Sequence, residues 1–257
     1  GAAMIVNADC RIAMEFLPDD SVDCIVTDPP YGETSLGWDH RVEGWLTEAR
    51  RVLKPSGSMW VFGSLRMLCQ TYHEFDGWNL AQDIVWEKHN GAGFSNDRFR
   101  RVHELAVQFY RSDTKWSEVY KAPQFTADAT ARTVHRKAKP AHWTGARGPS
   151  YYVSEDGGPR LMRSVIQVRS EHGRAVHPTQ KPEGIVEPLL LYSCPPGGLI
   201  LDPFAGSGTT GLVAAKHGRR FWMIEARPDY AAVAKARISA AVIEPVAPNE
   251  WAVAVDN

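Results

Sequence analysis

The sequence predicts an α/β fold, a doubly wound, mostly parallel sheet carrying an inserted basic region, and three observations predict it. Short apolar runs alternate with helix-spaced segments in the first and last parts of the chain. Two of these runs end on a carboxylate and open into a turn: residues 22–26 lead into Asp28-Pro29-Pro30-Tyr31, and 199–201 lead into Asp202 and a glycine-rich loop. Between the two halves, regular periodicity fades and positive charge gathers. The 257 residues suffice for one large domain or a domain with an insertion, and 44% hydrophobic with 23% charged is an ordinary globular balance.

Taken in order, residues 5–7 read as a short strand and 21–27 as a buried strand ended by two prolines. Apolar residues then recur at helical spacing over 42–53, Lys54-Pro55-Ser56-Gly57 reads as a stop, and 58–62 as a strand. Residues 84–86 and 105–110 are two further apolar runs suited to a hairpin at the sheet edge. From 111 to 175 the composition turns to Gly, Pro, Thr, Arg and Lys, which marks an inserted recognition region. Periodicity returns with a helix over 182–193, for which Pro188 implies a kink or a late start. A strand at 199–201, a helix over 209–217, a strand at 221–224 ending at Glu225, and a helix over 228–242 complete the pattern. The expected organisation is a catalytic half over 4–110, the recognition region over 111–175, a cofactor half over 176–243, and a tail over 244–257.

Charge supports that division. Residues 86–176 hold 16 Lys and Arg against 9 Asp and Glu, a net +7, whereas the rest of the chain nets −8. Aromatic side chains, among them Phe94, Phe99, Trp116, Phe125, Trp143, Tyr151 and Tyr152, are interleaved with the bases, an electrostatic and stacking footprint suited to nucleic acid. No apolar run approaches the length of a membrane helix, and the N-terminus lacks a secretory pattern, so no membrane partner is expected. Gly1-Ala2-Ala3 ahead of Met4 looks like an expression remnant. Cys10, Cys24, Cys69 and Cys194 are too scattered for a metal or redox pair, and a reducing cytoplasmic setting fits them.

The loop over 202–211 sits at a strand-to-helix junction, where Gly206, Gly208 and Gly211 allow close approach of a nucleoside. The spacing alone suits a dinucleotide as well as S-adenosylmethionine, and Glu225 can serve the ribose of either. Asp202 tilts the balance, since it can pair with an ammonium that a methionine moiety has and a nicotinamide dinucleotide lacks. In the other turn, Asp28 offers a carboxylate oxygen and Pro29 a carbonyl, held by consecutive proline rings, Pro30 included. Two such acceptors can grip both N–H bonds of an exocyclic base amine and free its lone pair, while Tyr31 can stack on the base.

These motifs resemble the amino-methylating DNA methyltransferases. Asp-Pro-Pro-Tyr is similar to their catalytic motif, Phe204 to Gly208 to their Phe-x-Gly-x-Gly cofactor motif, and His177-Pro178-Thr179-Gln180-Lys181-Pro182 to the segment that precedes the cofactor strand. The motif order resembles the permuted β group, over about 5–110 and 176–243. The resemblance implies a Rossmann-like sheet of the class I methyltransferase type and S-adenosylmethionine as cofactor. It implies double-stranded DNA as partner, with the target base flipped out of the helix. It assigns Asp28 and Pro29 to the amine, Tyr31 to stacking, and Asp202, Thr179 and Lys181 to the methionine end. Phe204, Ala205, Gly206, Ser207, Gly208 and Thr209 fall to close packing on the cofactor, Glu225 to its ribose and Asp9 to its adenine.

A carboxylate at the head of the turn resembles the adenine-N6 enzymes more than the cytosine-N4 enzymes. The expected product is therefore N6-methyladenine, with N4-methylcytosine or a catalytically silent DNA-binding relative as alternatives. Arg98, Arg100, Arg101, Arg136, Lys137 and Lys139 are the expected phosphate contacts. No nuclease segment is expected within this chain; the resemblance leaves room for a homodimer and for a separate restriction enzyme as partner.

Overall fold

A computed structural model describes residues 4–32, 37, 39–92, 96–138, 148–169 and 180–243. Strand β1 (Met4–Asn7) passes into a short helix, α1 (Cys10–Met14), which the sequence periodicity does not announce. Its start is fixed by Asp9, whose carboxylate accepts the Arg11 backbone N–H. In β2 (Val22–Thr27), Val22, Cys24, Ile25 and Val26 are fully buried, so both faces of the sheet are covered. Helix α2 (Trp45–Val52) begins at Trp45 rather than Val42, because Gly44 ahead of it takes a left-handed backbone, φ 82°.

The segment read as a stop, 54–57, instead lies within β3 (Leu53–Gly63). Leu53 pairs with Val22 and Ser58 with Cys24, so the intervening residues form an irregularity in the ladder rather than a break. Asp23 secures it, accepting from Lys54 Nζ at 2.7 Å and from the Leu199 N–H at 2.8 Å. After α3 (Leu65–Thr71), β4 (Trp78–Ala92) and β5 (Arg101–Arg111) form a hairpin far longer than the two apolar runs. Gln108 is buried in β5. It donates to Ser58 Oγ on β3 at 2.9 Å and accepts from Gln82 on β4 at 2.8 Å, so the polar group is satisfied inside the sheet.

Strands β6 (Phe125–Thr126), β7 (Arg132–Arg136), β8 (Ser150–Ser154) and β9 (Arg160–Leu161) form two small antiparallel pairs, β6 with β9 and β7 with β8. They belong to a separate compact unit over 123–163. Its limits are narrower than the composition implies. Tyr120 N–H donates to the Ser56 carbonyl and Ala122 N–H to that of Tyr192, both at 2.8 Å, which ties 120–122 to the main unit. Past the small unit, β10 (Val165–Gln167) pairs with β4 and forms an edge of the main sheet.

The chain closes with α4 (Glu183–Ser193), β11 (Leu199–Asp202), α5 (Thr209–Lys216), β12 (Arg220–Glu225) and α6 (Pro228–Ile243). Helix α4 runs through Pro188, so the late start does not occur; the missing N–H leaves the Gly184 carbonyl without its helical donor. The eight strands lie in the order β1-β12-β11-β2-β3-β5-β4-β10, with β5 antiparallel to both neighbours and the other pairs parallel. From β2 the chain proceeds one way to β3; from β11 it proceeds the other way to β12. The neighbouring carboxyl ends of β2 and β11 are thus the point where the winding reverses, the place where such sheets bind ligands.

Candidate active site

Both turns open into one cavity of about 270 Å³ at that reversal point. Asp9, Asp28, Pro30, Lys181, Asp202, Phe204, Ala205, Gly206, Ser207, Thr209 and Glu225 line it, so eleven of the predicted residues are brought together. Pro29 and Tyr31 line a smaller neighbouring cavity instead. The Tyr31 ring packs against the core, and its hydroxyl donates to Asp28 Oδ1. Gly208 faces away: a Cβ there would come within 2.8 Å of Ala234 Cβ, so this glycine serves the approach of α6 and the φ of 80° that starts α5. Thr179, with His177 and Pro178, lies outside the described residues, as does Lys139.

At the cofactor-loop side, Asp202 is 4% exposed. Its Oδ1 accepts from Thr27 Oγ1 at 2.7 Å and from the Phe204 N–H at 3.0 Å, which joins the ends of β2 and β11. Burial pushes its pKa up to about 7, and its hydrogen-bond partners, hydroxyls and an amide rather than a cation, offset only part of that cost. Glu225 accepts the Gly206 N–H at 2.7 Å and the Arg227 N–H at 2.9 Å; burial raises its pKa too. Asp9 is turned partly toward Arg11, an ion pair of 2.6 Å.

The opposite wall is charged. Lys181 Nζ lies 2.6 Å from Asp28 Oδ2 and 3.0 Å from Glu104 Oε2, and Lys88 Nζ pairs with Glu104 Oε1. Burial raises the Asp28 pKa, Lys181 opposes it, and Glu104 adds to it. Burial would lower Lys181, but the two carboxylates outweigh it and hold the ammonium above its usual range.

Sequence reasoning placed Lys181 at the methionine end; its ammonium sits on Asp28, and only its backbone carbonyl meets the glycine loop, accepting from Thr209 Oγ1 at 3.1 Å. Glu104, Lys88, Thr27 and Arg237 were not foreseen. Arg237 donates to Thr209 Oγ1 at 2.8 Å and Ser207 Oγ at 3.2 Å, bracing the loop from α6. The available signal was spacing, since Arg237 lies one helical turn beyond Ala234.

The expected phosphate contacts fall in two places. Arg98, Arg100 and Arg101 are exposed where the chain passes from β4 to β5, around a fully exposed Phe99, and Arg98 is paired with Asp97. Arg136 and Lys137 are exposed at the end of β7, within the 123–163 unit. Among the described residues no helix is long and apolar enough to cross a membrane, and no cluster of His, Cys, Asp and Glu is arranged to hold a metal.

This sheet, with ligand loops at its reversal point, is the class I methyltransferase fold. The PvuII DNA methyltransferase, described as cytosine-N4-specific, matches it with a TM-score of 0.65 at 16% identity, over 94% of this chain and 91% of that one. M1.HpyAVI, solved in complex with SAM, matches with a TM-score of 0.62 at 23% identity, over 91% and 98%. In sequence, the chain is 30% identical to the type II methyltransferase M2.LlaDCHI of Lactococcus lactis subsp. cremoris, covering 92% of this chain and 89% of that protein. It is 29% identical to the type II methyltransferase M.HinfI of Haemophilus influenzae, covering 91% and 67%. The N6/N4-type family model described as DNA methylase matches residues 22–236, and the chain belongs to that family.

Proposed function

We propose that the protein methylates the N6 amine of an adenine turned out of duplex DNA, with S-adenosylmethionine as methyl donor. The observation that carries this reading is the single cavity shared by Asp28, at the head of a proline-stiffened turn, and Asp202, beside the glycine loop.

The residues present fit that cofactor. Among the described residues the partners of the buried Asp202 carboxyl are hydroxyls and an amide, which suits the methionine ammonium; Glu225 at the next strand end suits the ribose hydroxyls, and Asp9 the adenine end. When bound, the cofactor supplies an electrophilic methyl group on a sulfonium. Asp28 and the Pro29 carbonyl accept the two amine hydrogens and draw the nitrogen toward tetrahedral geometry, so its lone pair is directed into the cavity. Two successive rings limit the backbone freedom of that acceptor pair, so little reorganisation is needed on binding. Tyr31, its ring packed on the core, steadies Asp28 through its hydroxyl. The exposed bases of the hairpin end and of the 123–163 unit, as target-recognition region, hold the phosphates.

Labelled methyl transfer to random-sequence duplex, with mass spectrometry of the nucleosides, tests this. N6-methyladenine is the expected product, and N4-methylcytosine alone would overturn the assignment.

A further inference from the structure

We infer that Glu104, backed by Lys88, is a positioning residue that holds Lys181 on Asp28, so that the lysine supplies the counter-charge and the carboxylate stays aimed while a base amine occupies the cavity. The inference rests on the proposed function and adds to it a residue outside all three motifs.

Four alternating charges, Asp28, Lys181, Glu104 and Lys88, form a chain from the cavity into β4 and β5, with Asp28, Lys181 and Glu104 exposed by 19%, 10% and 15%. Its walls are aromatic: Lys181 Nζ lies 5.4 Å from the Phe62 ring centre and 5.8 Å from that of Trp86, and Lys88 lies 4.7 Å from Trp86. A lone carboxylate in such a place would take up a proton and lose an acceptor site. Lys181, on Oδ2, works against this.

Glu104 holds Lys181 from the side opposite the cavity turn as an ion pair at 3.0 Å, and Lys88 on its other oxygen keeps that carboxylate in place. Among the described residues, the charged or titratable groups facing Asp28 are Lys181, Glu104 and Tyr31, with Asp202 across the cavity floor and His40 on its rim. Lys181 favours the charged carboxylate by its own charge, and Glu104 opposes it. Removing each therefore moves Asp28 in opposite directions.

The test is single-turnover methyl transfer against pH at saturating cofactor, for wild type, Lys181→Met, Lys181→Arg and Glu104→Gln. Lys181→Met is expected to raise the acid limb by about one pH unit or more and to lower the plateau about a hundredfold. Glu104→Gln is expected to lower the acid limb and reduce the plateau about tenfold, and Lys181→Arg to keep the wild-type limb. Cofactor Kd is expected to change by less than about threefold in each. A cofactor-binding role for the ammonium predicts the reverse, a raised cofactor Kd with an unmoved limb, and would overturn the inference.

Denaturant unfolding of the cofactor-free protein gives a readout independent of turnover. Lys181→Met lowers the midpoint by leaving two buried carboxylates on one lysine, and adding Glu104→Gln to it restores at least half of the loss. Simple addition of the two losses would also overturn the inference. Absence of transfer by the wild-type chain would instead defeat the proposed function, and the unfolding series would still decide the ion chain.

Discussion

Asp28 and Asp202 stand at the ends of neighbouring strands and share a cavity, Asp202 buried and Asp28 half-buried, yet they are neutralised in different ways. Asp28 has a resident ammonium at 2.6 Å, while Asp202 has a threonine hydroxyl and a backbone amide. The difference teaches which side is complete before any ligand arrives. On the proposed function, Asp28 carries its own counter-charge and needs only the weakly polar hydrogens of an amine. Asp202, with its pKa at about 7, is left for a cation brought from outside.

Breaking the complete side has the largest expected effect. Asp28→Ala is expected to slow single-turnover methyl transfer by about a thousandfold, while calorimetry finds cofactor affinity little changed. Intact turnover in this variant would remove the basis for treating Asp28 as the acceptor of the amine.

Next comes the unfinished side. Asp202→Asn is expected to weaken cofactor binding about ten- to a hundredfold, the usual worth of a charged hydrogen bond. The same change should raise the melting temperature of the cofactor-free protein at pH 8, because no buried anion then forms. The folded-state pKa of about 7 lies above the ordinary 3.8, so the folded protein binds this proton more tightly than the unfolded chain. Its stabilising contribution is complete below about pH 4 and is lost as pH rises through about 7. Cofactor binding selects the ionised form, so wild-type affinity should climb between pH 5 and 7 with release of a proton. Titrations in buffers of different ionisation heat measure that release, and a pH-independent affinity would erase the contrast with Asp28.

Smaller effects sharpen the comparison at its edges. Arg237→Met removes the brace on Ser207 and Thr209 and should raise the cofactor KM severalfold, with kcat nearly unchanged. Arg136→Ala and Lys137→Ala should weaken DNA binding evenly across sequences and reduce the salt slope by about one each. A change in sequence preference would instead make them base readers.

The parts legible in the sequence are those where backbone chemistry and motif coincide. Strands β2 and β11 announce themselves because Pro29, Pro30 and the glycines interrupt buried apolar runs at the cavity. Asp28, Asp202 and Glu225 follow from standing at those interruptions. Glu104 and Lys88 were not legible, since alternation along a hairpin shows that two residues share a face but not that the face meets Lys181 of a remote segment. β10 was hidden because three residues, two of them exposed, leave no periodicity to read. Lys181 was visible as a motif residue, but its partner depended on β5, whose register no local pattern supplies.

The reversed direction of β5 has a consequence for how a large substrate reaches a small pocket. Leu105 is paired with Gly63 at the carboxyl end of β3, so β5 starts, rather than finishes, on the rim that holds Asp28. The hairpin's turn end, with Phe99 and its arginines, therefore overhangs that rim by a few residues at roughly 3.3 Å apiece. On the proposed function, a double helix resting on this ledge would have a displaced nucleotide within one strand's reach of Asp28, and gripping the polymer and presenting the base would be a single act of docking.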